Sequence, residues 1–331
     1  MTQGACPNLA PYHIRTFSPE DLPALVEIHG SAAKADQQDF LPTLEELRQH
    51  FESPGYRAEN CYVASLTNGE VVAYTDAFSR GKGGMAVGTG AVRPDHRRRG
   101  LGARLVDLAD SAHRERRGSL PADEPRYVRR TVPAGVGGVE ELFVAQGYRP
   151  VRRHFSLTIA LDRPMPPTAL PDGFALQPFA RERDGRAVYE CRVEAFRDHW
   201  GASTPAPYEV WEASHFSDPT HDPGLWLVAV HSNEVVGVCL GTGYSVRTPH
   251  RGWVNTLGVR SAWRKQGLAS ALLSLGLHVF QTKDFTRVDL LVDGENRTGA
   301  LALYKRAGMR VAKTVVTYRK VLSGREDLIK D

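Results

Sequence analysis

Val92-Arg93-Pro94-Asp95-His96-Arg97-Arg98-Arg99-Gly100-Leu101-Gly102-Ala103 is followed, much later in the chain, by Val259-Arg260-Ser261-Ala262-Trp263-Arg264-Lys265-Gln266-Gly267-Leu268-Ala269-Ser270. Both stretches read as the end of an apolar strand, a basic turn, Gly-x-small and the start of a helix. A helix start carries about four unpaired N–H groups and a partial positive charge, so an anionic group placed there meets donors already aimed at it. Gly100 and Gly267 remove side chains where backbone must approach an anion, and Gly102 and Ala269 keep the next turn small. Arg97, Arg98, Arg99, Arg264 and Lys265 add positive charge. A solvated strand–helix turn would explain one such stretch. Two, each after Val-Arg, read as a duplicated module for a pyrophosphate-bearing cofactor.

Working outward, each turn sits in the same order of elements. In the first half, a strand at Tyr12–Phe17 precedes a helix opened by Ser18-Pro19-Glu20-Asp21 and striped by Leu22, Leu25, Val26 and Ile28. A helix over Leu44–Phe51, strands at Cys61–Leu66 and Val71–Phe78 around Asn68-Gly69, and a strand at Met85–Val92 lead to the turn. Helix Leu101–Arg117, strand Arg126–Val132, helix Val139–Gln146 and strand Val151–Ile159 complete the set. Leu161–Asp172, with Pro164, Pro166, Pro167 and Pro171, reads as a stiffened linker. The order then repeats: strand Phe174–Phe179, helix Arg183–Phe196, a hairpin of Leu225–Val230 and Val235–Thr242 around Asn233, and strand Gly252–Val259. Helix Leu268–Phe280, strand Arg287–Val292, helix Thr298–Ala307 and strand Val311–Arg319 follow the second turn. The expected class is α/β (α+β), with domains at 1–160 and 173–331 joined by the linker 161–172. Each domain should hold a mixed, mostly antiparallel sheet flanked by helices.

Bulk properties fit that division. The 331 residues exceed one typical core, and 41% hydrophobic residues is ordinary for a soluble protein. A net charge of +4 suits an anionic small ligand better than a nucleic-acid coat. Cys6, Cys61, Cys191 and Cys239 form no C-x-x-C pair and no metal-ligand spacing, which points to reduced thiols and no metal. Neither a signal peptide nor an apolar run long enough to span a bilayer is evident, so a cytoplasmic protein without a membrane partner is expected.

The pattern Arg-x-x-Gly-x-Gly/Ala in this setting resembles the acetyl-CoA-binding loop of the GCN5-related N-acetyltransferases (GNAT). Asn296, Ala300, Leu303, Tyr304 and Gly308 also resemble that family's N-x-x-A-x-x-L-Y-x-x-x-G pattern. The resemblance covers both halves and implies a tandem acetyltransferase. It implies that the pantetheine arm lies against Leu257, Gly258 and Val259 as an added strand would. Residues Arg264, Lys265, Gln266, Gly267, Leu268, Ala269 and Ser270 would cradle the pyrophosphate, with Val92, Arg97, Arg98, Arg99, Gly100, Leu101 and Gly102 as the first-half counterpart. Asn296 would bond the pantetheine side, and Tyr304 would sit near the thioester sulfur. Read from the residues alone, Asn296 equally suits a helix cap and Tyr304 a core stripe with Ala300, Leu301 and Ala307.

The implied reaction is attack of a neutral amine on a thioester. Backbone N–H near Val259 would polarise the carbonyl, and the Tyr304 hydroxyl would protonate the departing thiolate. Strand Trp253–Gly258 has no carboxylate, unlike relatives that place Glu there. His199, in Phe196-Arg197-Asp198-His199-Trp200-Gly201, is the candidate base, with a surface or structural histidine as its alternative. Aligning Gly147 with Gly308 puts Phe143 at the Tyr304 position, so the first domain lacks that acid and reads as a degenerate copy. The acceptor would be an amine of a small molecule or peptide: an aminosugar, an antibiotic, a mycothiol precursor or a peptide N-terminus. A longer acyl-CoA donor and a non-catalytic CoA-binding sensor are the rival readings. A nucleic-acid partner through Arg126, Arg129, Arg130, Arg149, Arg152 and Arg153 is disfavoured, because no aromatics suited to base stacking accompany these arginines. The sequence leaves the oligomeric state open.

Overall fold

The structure is a computed structural model that describes residues 9–39, 41–52, 56, 58–79, 83–115, 121, 123–201, 205–245, 247–296 and 298–329. Cys6 and the expected end of the third helix at Arg117 lie outside the described residues. The chain forms two compact units: 1–153 with 315–330, and 154–314 with 331.

In the first unit, β1 (His13–Thr16) leads to α1 (Leu22–Ala35), α2 (Leu44–Glu52), β2 (Tyr62–Ser65), β3 (Val71–Ser79) and β4 (Met85–Val92). Then come α3 (Leu101–Glu115), β5 (Arg126–Pro133), α4 (Val139–Ala145) and the start of β6 (Arg149–Ala160). The second unit repeats the order with β7 (Ala175–Pro178), α5 (Arg181–Ala195), α6 (Tyr208–Phe216), β8 (His221–His231), β9 (Glu234–Gly243) and β10 (Arg251–Val259). It continues through α7 (Leu268–Thr282), β11 (Arg287–Asp293) and α8 (Ala300–Arg306) into β12 (Arg310–Ser323). Helix α6 has no counterpart among the sequence expectations. Its buried face rests on one residue, Trp211, so it lacks the repeating apolar stripe that marks a helix.

The expected contiguous halves are not the compact units. The first unit's sheet runs β1-β2-β3-β4-β5-β12, and its last strand comes from the end of the chain, with Val315–Ser323 antiparallel to Arg126–Pro133. The second unit's sheet runs β6-β11-β10-β9-β8-β7, and Arg287–Asp293 pairs antiparallel with His154–Ala160 from the end of the first half. Each half therefore gives its closing strand to the other. Strand periodicity shows that a segment pairs, but not with which partner. The Pro-rich stretch is no free connector either. Gln281 Nε2 on α7 donates to Leu161 O at 2.9 Å and Arg163 O at 2.7 Å, the Met165 N–H donates to Gln281 Oε1 at 2.8 Å, and Thr168 and Ser274 hydroxyls meet at 2.7 Å.

Each sheet is mixed and carries helices on both faces. In the first unit, Val63 and Tyr74 join Leu25, Ile28, Leu47 and Phe51 beneath α1 and α2, whereas Ala64 and Ala73 turn to Leu101 and Leu105 of α3. This is the period-two alternation of a strand buried on both sides. In the second unit, Leu272, Leu273 and Leu277 of α7 are fully buried, and the helix lies on the β9 face that carries Gly237, Cys239 and Gly241, while Val238 turns to the opposite face with Gly258 and the end of α5. Truncating one such leucine to alanine typically costs about 2–5 kcal/mol.

Candidate active site

The two basic turns share one backbone geometry. Arg98 (φ 62°) and Gly100 (φ 80°) are left-handed, as are Lys265 (φ 63°) and Gly267 (φ 84°). Left-handed residues in such a turn bring successive N–H groups round to one concave side, an arrangement suited to anions. In the second unit the N–H groups of Lys265, Gln266, Gly267, Leu268, Ala269 and Ser270 have no acceptor among the described residues, the first helical bond there being Ala271 N–H to Gly267 O at 3.1 Å. The side chains of Lys265, Gln266 and Ser270 are exposed beside them, while Leu268 anchors the helix start in the core. A left-handed arginine or lysine costs about 1–2 kcal/mol of strain, and both copies carry one at the same place. Glycine spacing alone did not reveal it.

Two of the arginines expected around the anion do something else. Arg264 Nε donates to Val259 O at 3.1 Å, and its guanidinium reaches Ala195 O at 3.0 Å. Arg97 Nε donates to Val92 O at 3.1 Å, and its two terminal nitrogens clasp Asp36 at 2.7 and 2.8 Å. In each unit this arginine ties the strand end to the end of the unit's first helix. The turn therefore offers backbone at these positions, not the arginine side chain. Arg99 is partly spent as well, on Asp95 O at 3.0 Å and the Tyr12 hydroxyl at 3.3 Å. The Arg98 guanidinium lies over Gly138 at the start of α4, where a Cβ would come within 2.5 Å of it.

Ahead of each turn the strands part. In the second unit β10 pairs parallel with β11 only over Arg251–Trp253, opposite Arg287–Asp289, yet stays on β9 as far as Val259. Past Trp253 one edge of β10, including Leu257, Gly258 and Val259, has no neighbouring strand. The register on β9 slips between Val254 and Thr256, leaving Asn255 exposed at a β-bulge. The first unit parts in the same way, with β4 on β5 only over Met85–Gly88 while β3 is followed to Val92. Backbone N–H and C=O groups along such an edge need partners, and an extended amide-bearing arm supplies them. Gly258 is required by packing: a Cβ there would lie 3.0 Å from the Ala195 Cβ and 3.3 Å from the Phe196 ring.

The candidate chemical groups of the second unit come from different elements. Tyr304 on α8 is 8% exposed, within the core. Burial, and then the nearby Cys239 thiol, raise its pKa above the ordinary phenol value. Cys239 pairs with Leu257 in the parted stretch of β10. His199 follows α5. Its N–H donates to Phe196 O at 3.1 Å, and its ring stacks obliquely on Phe196 at 4.4 Å. Burial lowers the His199 pKa, Asp293 at the end of β11 opposes that shift, and Arg264 reinforces it. Glu194 fixes the end of α5 by bonds to Arg260 at 2.6 Å and to the Ser261 N–H and hydroxyl at 3.1 Å each. The basic turn and His199 are thereby held on one frame.

Asn296 is committed in part. Its Oδ1 accepts from the Thr298 N–H at 2.6 Å and from the Thr298 hydroxyl at 2.5 Å, which is the capping use, while its Nδ2 has no partner among the described residues. The helix it precedes begins at Ala300, after left-handed Gly299 (φ 81°), not at Thr298. In the first unit Phe143 occupies the fifth position of α4, as Tyr304 does in α8, and packs between Tyr148 and Tyr318 at 5.3 and 5.4 Å. Among the described residues no cluster of His, Cys, Asp or Glu could hold a metal ion, and no helix is long and apolar enough to cross a membrane.

Comparison with known proteins agrees with this geometry. The family model described as "Acetyltransferase (GNAT) family" matches residues 23–122 and 186–309. The mycothiol acetyltransferase of Kytococcus sedentarius is 28% identical over 325 residues, covering 94% of this chain and 98% of its own. That of Clavibacter michiganensis subsp. michiganensis is 30% identical over 245 residues, covering 73% and 74%. A solved GCN5-related N-acetyltransferase from Sphaerobacter thermophilus superposes with a TM-score of 0.80 at 33% identity, covering 96% of this chain and 98% of that one. The parted strands, the two amide-lined turns and these matches across both units together show that the chain belongs to the GNAT acetyltransferase family, as a tandem N-acetyltransferase that uses acetyl-CoA.

Proposed function

We propose that acetyl transfer takes place in the second unit, from acetyl-CoA to a primary amine of a small molecule. One observation carries this reading. The free amides of Lys265–Ser270, the unpaired edge of β10, the Tyr304 phenol and the His199 imidazole belong to one compact unit. The relatives named mycothiol acetyltransferase favour a mycothiol precursor as acceptor. An aminosugar, an antibiotic or a peptide N-terminus is the broader class.

Acetyl-CoA supplies an activated thioester. The turn amides bind its diphosphate, and the edge Leu257–Val259 aligns the pantetheine arm and directs backbone N–H at the thioester carbonyl. His199, kept neutral by burial, accepts the proton that the attacking nitrogen loses. Tyr304, kept protonated by the rise in its pKa, delivers a proton to the departing sulfur. Asn296 Nδ2 is the group left to bind the pantetheine amide. The first unit retains the turn and the parted strands but carries Phe143 in place of the phenol. On the position of that acid it is the degenerate copy.

Incubating the protein with acetyl-CoA and a panel of amines, and weighing the products by mass spectrometry, tests the reading. An N-acetylated amine formed in step with free coenzyme A is the expected result. Tight acetyl-CoA binding without any acetylated product would favour the sensor instead.

A further inference from the structure

The first unit contains a buried polar chain that the reading above does not use. Tyr74 and Asp76 lie two residues apart on β3 and share the face covered by α1 and α2. His29 Nε2 on α1 meets the Tyr74 hydroxyl at 2.5 Å, and that hydroxyl neighbours the Thr89 side chain. The Thr89 hydroxyl and N–H both donate to Asp76 Oδ1, at 2.9 and 2.8 Å. His50 Nε2 on α2 meets Asp76 Oδ2 at 3.1 Å. Asp76 is 1% exposed and the His50 side chain 38%, so the chain runs from the interior to an accessible imidazole. Its place in the fold is specific. Asp76 pairs with Thr89, the first residue of β4 beyond the segment joined to β5. The network therefore borders the parting of the strands.

A network of this kind is costly to bury unless every member is satisfied. Burial pushes the Asp76 carboxyl up, but the bond and charge of His50 together with the Thr89 donors more than offset it, and its pKa lies below the ordinary value. A buried carboxylate that holds one imidazole nitrogen fixes the orientation of the ring. Burial lowers His29 to about 4, so it stays neutral at the inner end.

We propose that the first unit is a second acetyl-transfer site, in which His50, positioned by Asp76, receives the proton of the attacking amine. The inference rests on the reading that the parted strands and basic turn hold acetyl-CoA. In the step, the amine nitrogen forms a bond to the acetyl carbon and the carbon–sulfur bond breaks. The electron pair leaves with sulfur as the coenzyme A thiolate, and the amine proton goes to His50. A thiolate is a far better leaving group than an amine anion and departs without obligatory protonation. Phe143 in place of a tyrosine therefore slows this site without closing it. His50 is the catalytic residue; Asp76 and Thr89 position it.

The test uses the full chain carrying Gly267→Glu, which blocks the second unit's turn. Acetyl-CoA binding is measured by calorimetry, and transfer to glucosamine, tyramine and spermidine by mass spectrometry. One equivalent of acetyl-CoA should bind, and at least one amine should be acetylated. Adding His50→Gln should lower kcat about 100-fold with KM for acetyl-CoA unchanged. Asp76→Asn, which keeps an acceptor for Thr89 but turns an amide toward the imidazole, should lower kcat without changing KM. One equivalent bound with no transfer, or transfer indifferent to His50→Gln in a protein of unchanged circular dichroism, would overturn the second site and leave the cofactor reading intact. No binding at all would mean that the first turn does not hold acetyl-CoA, and both readings of the first unit would fall.

Discussion

The proposed chemistry needs Tyr304 protonated and His199 neutral, and burial favours both. Enclosure disfavours a charged phenolate and equally a charged imidazolium, so Tyr304 keeps its proton and His199 stays without one. Tyr304→Phe should lower kcat about 100-fold, or about 3 kcal/mol in the barrier, while acetyl-CoA affinity measured by calorimetry holds. An unchanged rate would remove the phenol from the mechanism. The pH profile gives a second check. A base whose folded pKa is depressed stays neutral, and so active, further into acid. The acidic limb of kcat/KM should therefore lie below the ordinary histidine value of about 6.5. Asp293 limits that displacement, so His199→Gln should abolish the limb, whereas Asp293→Asn should move it to still lower pH. A limb above the ordinary value would exclude His199 as the base. At this scale the sequence named the groups, but not that Arg97 and Arg264 are spent inside their own units. A guanidinium written in a basic run looks solvated until its acceptors are known.

The basic turns make their contribution as elements. What suits them to the proposed anion is a backbone shape, set by left-handed residues at the second and fourth positions of Arg-x-x-Gly. Gly267 has room for a side chain, the nearest atom to an added Cβ being Pro171 Cγ at 3.7 Å, so the constraint at this position is conformational. Gly267→Ala should cost about 1–2 kcal/mol of stability and weaken coenzyme A binding modestly. Gly267→Glu should abolish binding in the second unit, because it adds a carboxylate where the diphosphate must lie. Titration calorimetry with coenzyme A distinguishes the two variants, and undiminished binding to the glutamate variant would put the diphosphate elsewhere. The glycines were legible in the sequence. The left-handed Arg98 and Lys265 were not, because nothing in a basic residue announces φ above zero. The bulge at Asn255 was hidden for a related reason: a single inserted residue leaves the alternation of β10 readable on either side of it.

At the scale of the whole chain, the exchanged strands make the two halves interdependent. A fragment of residues 1–160 would lack Val315–Ser323, exposing the edge of β5. A fragment of residues 161–331 would lack His154–Ala160, leaving one edge of β11 bare from Arg287 to Asp293 and removing the fully buried Leu157 from the core. Unpaired central strand edges leave backbone groups unsatisfied and invite aggregation. Each fragment expressed alone should fail to melt cooperatively, whereas co-expression should recover a folded, acetyl-CoA-binding complex. Cooperative melting of either fragment by itself, read by circular dichroism, would show that the exchange is dispensable.

The sequence by itself determined the repeat, the order of most elements, the two glycine-bearing basic turns and the family to which they belong. All of these are local patterns of period, glycine and charge, carried by residues close together in the chain. Tertiary structure alone decided which strand closes which sheet, that the Pro-rich stretch lies along α7, and that His29, Tyr74, Thr89, Asp76 and His50 meet in one network. Those outcomes depend on partners far apart in the chain, and hydrogen-bond partnership across such distances leaves no mark on the spacing of residues.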